Sequence, residues 1–328
     1  MKCTNRFTKL IAVLLSGLIT VSLTACGKEE IIYPFSDYAK ETAFVDGNLF
    51  SNAELEGFAS DLVAFTEDNI EKYDLTHASS GILIDLNGQK EIFALNPFEK
   101  KYPASITKVM TAYVALKNSS LDEVITCTRS VSALGVPDAV ALGLVEGDTM
   151  TMDQALHLML VSSYNDVAVA IAEHVSGSIE AFCNLMNEEA LALGATGTHF
   201  SNPHGLHEDD HYTTAYDLYL IFNEAIKNPD LLEIIQCKQY QTIYHDRSGK
   251  EHGVNSVNTN HFFRGTYEMP DTVTIVGGKT GTTDEGGYCL ALYVKDKYSN
   301  PYIAVILDSD TRDFLYKEMT ELLMVITN

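Results

Sequence analysis

Two short runs near the end of the chain, Gly287-Tyr288-Cys289-Leu290-Ala291-Leu292-Tyr293-Val294 and Tyr302-Ile303-Ala304-Val305-Ile306-Leu307, read as β-strands. Both have strand length and are nearly unbroken in apolar character. Val273 to Ile275 makes a third strand. At the other end of the chain, Ser80 to Leu86 and Glu91 to Leu95 flank Asn87-Gly88. That pair suits a type I′ turn and predicts a hairpin, although its strands alternate imperfectly. Between the two ends the pattern is helical. Ile106 to Lys117 predicts a helix entered after Pro103. Leu121 to about Gly194 reads as mainly helical, most clearly at Met152 to Leu160 and Val167 to Val175. Thr214 and Asp217 are spaced as a capping box opening a helix to Ala225, and Phe314 to Val325 closes the chain. A further helix is expected from Ser51 to Phe65, with Ser51 and Glu54 as its capping box. Strands at both ends with helices between them predict an antiparallel sheet built from the two chain ends, with an inserted helical region.

The composition fits one large domain or two small ones. Of 328 residues, 46% are hydrophobic and 20% charged, with 8 Pro, which excludes collagen, coiled coil and wholesale disorder. The formal net charge of −23 excludes a nucleic-acid partner held by a basic surface. There is no internal repeat or low-complexity tract.

The N-terminus reads as an address. Lys2, Arg6 and Lys9 precede an apolar run from Leu10 to Leu23 that is too short to span a bilayer but suits a secretory signal. Leu23-Thr24-Ala25-Cys26-Gly27 resembles the bacterial lipobox. That resemblance implies cleavage before Cys26 and lipid on its thiol, placing the protein on the extracytoplasmic face of the membrane. An ordinary signal peptide cut elsewhere is the alternative. The expected division is 1–25 signal peptide, 26–46 polar acidic tether and 47–328 domain. Cys127, Cys183, Cys237 and Cys289 are irregularly spaced without a C-x-x-C, so they read as small buried hydrophobes rather than a zinc or redox site.

Three short motifs carry chemistry. In Ser105-Ile106-Thr107-Lys108 the first and last residues share a helix face one turn apart. Ser105 lies in the first turn, where free N–H groups favour a developing oxyanion. Lys108 could take its proton only if held neutral, through burial or a second cation. Alone, the motif fits a capped helix with a solvated lysine. Ser163-Tyr164-Asn165 suits a short loop presenting a hydroxyl and an amide together, or else the cap of the following helix. Lys279-Thr280-Gly281-Thr282 follows a strand: a lysine with adjacent hydroxyls suits a terminal carboxylate, and glycine permits a substrate backbone to approach closely. It is not a Walker loop, because the required earlier glycine is Val273. His204, His207 and His211, with Asp209 and Asp210, could be metal ligands, but they lack a metalloprotease pattern and read as a hydrogen-bonded loop.

Ser-x-x-Lys, Ser-x-Asn and Lys-Thr-Gly, in that order behind a secretion signal, resemble the penicillin-recognising serine enzymes. Pro103-Ala104-Ser105, Met110-Thr111-Ala112, His199 to Leu206 and Lys279 to Glu285 narrow the resemblance to D-alanyl-D-alanine carboxypeptidases, from roughly Ala78 to Asn328. It implies a β-lactamase/transpeptidase-like α+β (α/β) fold: a five-stranded antiparallel sheet flanked by helices, with an inserted all-helical subdomain. It also implies catalysis by Ser105, Lys108 and Ser163, and substrate binding by Asn165, Lys279, Thr280, Gly281 and Thr282. Lys279 would hold Ser163 and depress Lys108. The substrate would be a peptidoglycan pentapeptide ending in D-Ala-D-Ala, β-lactams would acylate the serine, and no cofactor or metal is implied. Many relatives have His or Tyr where this chain has Thr282, and many carry a second β-rich domain and a C-terminal membrane helix. Here Val325-Ile326-Thr327-Asn328 does not read as an anchor, and the lipobox would replace it. Three rivals remain: a class A-like β-lactamase, whose Glu-x-x-Leu-Asn is only approximated by Glu188-Glu189-Ala190-Leu191-Ala192, a non-catalytic metal-binding or adhesion lipoprotein, and a non-catalytic binding protein descended from the enzyme fold.

Overall fold

The computed structural model describes residues 62–65, 67–70, 73–134 and 139–327, all within one unit, Ala59–Asn328. The expected signal peptide, Cys26, the tether and most of the Ser51–Phe65 helix lie outside the described residues. The last four positions of that helix, 62–65, are not helical. The backbone groups of Val63 are satisfied by side chains instead: its N–H donates to the Tyr219 hydroxyl (2.9 Å), and its C=O accepts from Tyr216 (3.0 Å).

In chain order the elements begin with β1 (Ala78–Asp85) and β2 (Lys90–Leu95), then a 3-10 turn (Ala104–Ile106) leading into α1 (Thr107–Asn118). Next come β3 (Val124–Thr126), β4 (Thr149–Thr151), α2 (Met152–Ser162), α3 (Asn165–Ser176), α4 (Ile179–Ala192), α5 (Ala215–Ala225) and α6 (Pro229–Gln236). The chain ends with β5 (Gln239–His245), β6 (Glu251–Val257), β7 (Val273–Thr283), β8 (Gly287–Asp296), β9 (Pro301–Ser309) and α7 (Arg312–Met324).

The expected sheet of the two chain ends is present. Its order is β2-β1-β9-β8-β7 with antiparallel pairing throughout, and β1 joins β9 in a register running from Ala78↔Ser309 to Asp85↔Tyr302. The strands are apolar on both sides because both faces are covered. Ile303, Val305 and Leu307 of β9 face the helical mass around α1, whereas Tyr302, Ala304 and Ile306 pack against Leu315, Met319 and Leu322 of α7. α1 runs through the centre, buried all round from Thr107 to Ala115, as a helix must be when apolar or small residues occupy every face.

Two expectations need correction. The hairpin has no two-residue type I′ turn: pairing ends at Asp85↔Lys90, and the positive φ falls on Gln89 (+47°). The Asp85 carboxylate holds the longer loop by accepting from Asn87 N–H (2.9 Å) and Gly88 N–H (2.8 Å). The inserted region is not all-helical either. A second, four-stranded sheet, β3-β4-β5-β6, accompanies it. Two of its strands have three residues each, and the other two are polar and largely solvent-facing, so no apolar run marks them.

Candidate active site

The three motifs reach one place from three elements. The 3-10 turn presents Ser105, the α2–α3 turn presents Ser163 and Asn165, and edge strand β7 carries Lys279 to Thr282. Ser163 has a left-handed backbone (φ +65°), which ends α2 and lets α3 begin at Asn165. The side chains of Ser163 and Asn165 do not cap that helix. They turn inward, each to a different lysine.

Lys108 is completely buried. Its Nζ lies 2.9 Å from Ser105 Oγ, 2.6 Å from Asn165 Oδ1 and 2.6 Å from the His204 carbonyl oxygen. The amide oxygen and the carbonyl only accept; the hydroxyl can also donate. A neutral amine can satisfy all three, giving its two N–H bonds to Asn165 and His204 and its lone pair to the Ser105 hydroxyl. Burial drives its pKa well below the ordinary lysine value, and the nearby charge of Lys279 pushes the same way. Lys279 is equally hidden, with Nζ donating to Ser163 Oγ (3.0 Å) and the Thr280 carbonyl (2.9 Å). Burial brings it down to about 7. Its ammonium thus faces Ser163 and β7 rather than open space, which argues against direct contact with a terminal carboxylate.

A cleft of about 310 Å³ opens over these groups, lined among others by Ser105, Ser163, Thr280, Gly281 and Thr282. Thr280 Oγ1 bonds Thr259 Oγ1 (2.6 Å). Gly281 owes its identity to the protein's own chain: a Cβ there would stand 2.7 Å from the Pro103 carbonyl oxygen and 3.0 Å from Ser105 N. The glycine lets β7 lie against the serine turn. Ala104, just before the serine, holds φ +47°, a conformation costing a non-glycine residue about 1–3 kcal/mol.

Sequence reasoning missed several neighbours. Arg264 and Arg312 line the cleft and have no ion-pair partner among the described residues. Asp166 accepts from the N–H groups of Leu142, Gly143 and Leu144 (2.8–3.0 Å), which pins the loop carrying Val140 to the cleft rim. None of these has a distinctive local spacing. The histidine loop is held by hydrogen bonds and ring packing. His204 and His211 are buried, their pKa values depressed to about 3 chiefly by that burial, and His207 packs edge-on to Tyr102. Among the described residues no group of three His, Cys, Asp or Glu side chains is arranged to hold a metal. Glu189, in the segment nearest to a lactamase loop, lies in α4 and pairs with Lys117 (2.7 Å). Cys127, Cys183, Cys237 and Cys289 are unpaired, and all but Cys237 are buried.

A buried serine–lysine pair facing a second serine–lysine pair, between a five-stranded sheet and a helical mass, is an arrangement that can make a serine hydroxyl nucleophilic. The S11 peptidase family model, D-alanyl-D-alanine carboxypeptidase, matches residues 67–311, and the chain belongs to that family. It is 32% identical over 264 residues to the D-alanyl-D-alanine carboxypeptidase DacF of Bacillus subtilis, covering 78% of this chain and 64% of the relative. It is 30% identical to DacA of Haemophilus influenzae, covering 77% and 65%. The chain thus spans just under two thirds of the length of these two relatives. Penicillin binding protein 5 from Haemophilus influenzae superposes with TM-score 0.67 at 28% identity, covering 79% of this chain and 72% of that one. The Streptomyces K15 DD-transpeptidase shares the fold, with TM-score 0.70 at 24% identity over 80% and 98% of the two chains.

Proposed function

We propose that this chain is a serine-type D-alanyl-D-alanine carboxypeptidase that removes the terminal D-alanine from peptidoglycan stem peptides. The observation that carries this reading is the placement of the fully buried Lys108 Nζ 2.9 Å from Ser105 Oγ, with its other two partners able only to accept. Ser105 Oγ attacks the penultimate D-alanine carbonyl as Lys108 takes the hydroxyl proton. The backbone N–H groups of Ser105 and Thr282 receive the oxyanion. Breakage of the C–N bond releases D-alanine, whose amine gains a proton through Ser163, held by Lys279. Water then frees the ester and restores the serine hydroxyl. Asn165 keeps Lys108 oriented. Thr280, Thr282 and the guanidiniums of Arg264 and Arg312, which have no ion-pair partner among the described residues, meet the substrate's free carboxylate, a role better suited to them than to Lys279. Penicillins enter the same path and acylate Ser105.

The lipobox resemblance of Leu23 to Gly27 extends the proposal. Residues 1–25 are a signal peptide, Cys26 carries lipid, 26–46 form a tether and 47–328 the peptidase domain, held on the extracytoplasmic face of the membrane. Labelled-lipid incorporation that persists in Cys26→Ser would overturn the anchor. The enzymatic reading is tested by incubating the soluble form with a D-Ala-D-Ala pentapeptide: D-alanine is released by the wild type, and its absence refutes the assignment.

A further inference from the structure

A chain of hydrogen bonds runs from the histidine loop to the peptide unit at the serine. Ser201 N–H donates to His211 Nδ1 (3.1 Å), so the neutral ring carries its hydrogen on Nε2. Nε2 lies 2.8 Å from Thr107 Oγ1 and therefore donates to it. The Thr107 hydroxyl passes its own hydrogen to the Ala104 carbonyl oxygen at 2.8 Å. His211 is 1% exposed, and Thr107 is equally enclosed. On its other flank the Ala104 carbonyl meets Gly205, where a Cβ would come within 1.9 Å of the oxygen.

The Ala104 carbonyl and the Ser105 N–H belong to one planar peptide unit. Fixing the direction of the carbonyl fixes the direction of the N–H, which points the opposite way. That peptide follows a residue at φ +47°, and its carbonyl accepts from the Thr107 backbone N–H as well as from the Thr107 hydroxyl. We infer that His211 is a positioning residue: acting through Thr107, it aims the Ser105 N–H at the oxyanion formed during acylation. This inference rests on the proposed acyl-enzyme chemistry and adds to it a group that touches neither substrate nor serine. An oxyanion donor acts on the transition state rather than on the resting complex. Disturbing the relay should therefore slow acylation and leave non-covalent affinity nearly unchanged.

The imidazole's two nitrogens can be separated by substitution. His211→Gln places an N–H donor near the position of Nε2 and keeps the bond to Thr107. His211→Asn places an acceptor near the position of Nδ1 and keeps the bond from Ser201, but loses the relay. Acylation by fluorescent penicillin is followed for each, with rates taken only on the fraction that labels to completion, so that misfolded protein drops out. His211→Asn and Thr107→Val are each expected to lower the maximal acylation rate about tenfold to a hundredfold. His211→Gln should remain within about threefold of wild type, with the half-saturating penicillin concentration unchanged in all three. The Asn/Val double variant should be no slower than the worse single variant, because both cut one relay. Equal rates for Asn and Gln, wild-type acylation by His211→Asn, or losses that multiply in the double variant would overturn the inference while leaving the serine assignment standing. A wild type that penicillin does not acylate would instead sink the assignment itself, and this inference with it.

Discussion

The cleft contains two lysine–serine pairs that look alike and are built differently. In the first, Ser105 and Lys108 are three residues apart and a single helical turn brings them together. In the second, Ser163 and Lys279 are 116 residues apart, and they meet only because β7 passes beside the α2–α3 turn. Both lysine Nζ groups are buried without a carboxylate partner among the described residues. They differ in degree: Lys108 feels the charge of Lys279 in addition to its own burial, whereas for Lys279 burial is the cause. The local pair is thus arranged for proton abstraction. The long-range pair adds, to the burial that lowers the first lysine, a nearby charge pushing the same way, and it holds a second hydroxyl. The proposed reaction would use both, but only the first is a property of local sequence.

Experiments can break or sharpen this contrast. Removing the nucleophile should have the largest effect: Ser105→Ala abolishes covalent penicillin labelling and lowers turnover on the order of 10⁴-fold or more, measured by D-alanine release. Lys108→Ala should be nearly as severe. Lys108→Arg should fare no better, because a guanidinium cannot shed its proton; residual acylation by the Arg variant would show that the first pair does not work by base catalysis. Lys279→Ala should cost about a hundredfold or more, equally on peptides with free and amidated C-termini. A loss confined to free carboxylates would return Lys279 to the substrate-binding role. Arg312→Leu should show the opposite pattern, a loss of roughly tenfold to a hundredfold on the free acid only.

The smallest expected effect is on stability. Lys279 has a folded-state value of about 7 against about 10.4 when unfolded, so between these limits the unfolded chain binds the extra proton. Stability should therefore rise with pH across that window, by up to about 1.4 kcal/mol per pH unit from this group. Denaturant unfolding of wild type and Lys279→Met at pH 7 and pH 9 checks it: the wild type should gain more than the variant.

Legibility followed the same division. The two-ended sheet could be read because its strands are covered on both faces and so appear as apolar runs, as at Tyr302 to Leu307. The second sheet could not, since β5 and β6 expose alternate polar residues and β3 and β4 are only three residues long. Ser105 and Lys108 announce themselves by helical spacing. Arg264, Arg312 and His211 do not, because what matters about them is where distant backbone delivers them. His211 stood among residues read as candidate ligands, and only its buried bonds to Ser201 and Thr107 give it another part. Gly281 was read as space for a substrate, yet it is first of all space for Pro103 and Ser105.

The seam between β1 and β9 also constrains how the molecule can be made. One hydrogen bond across it, from Ser79 to Asp308, spans 229 residues. A chain emerging from its N-terminus must carry its first hairpin unpartnered until nearly everything else has appeared, and closures of such range slow folding.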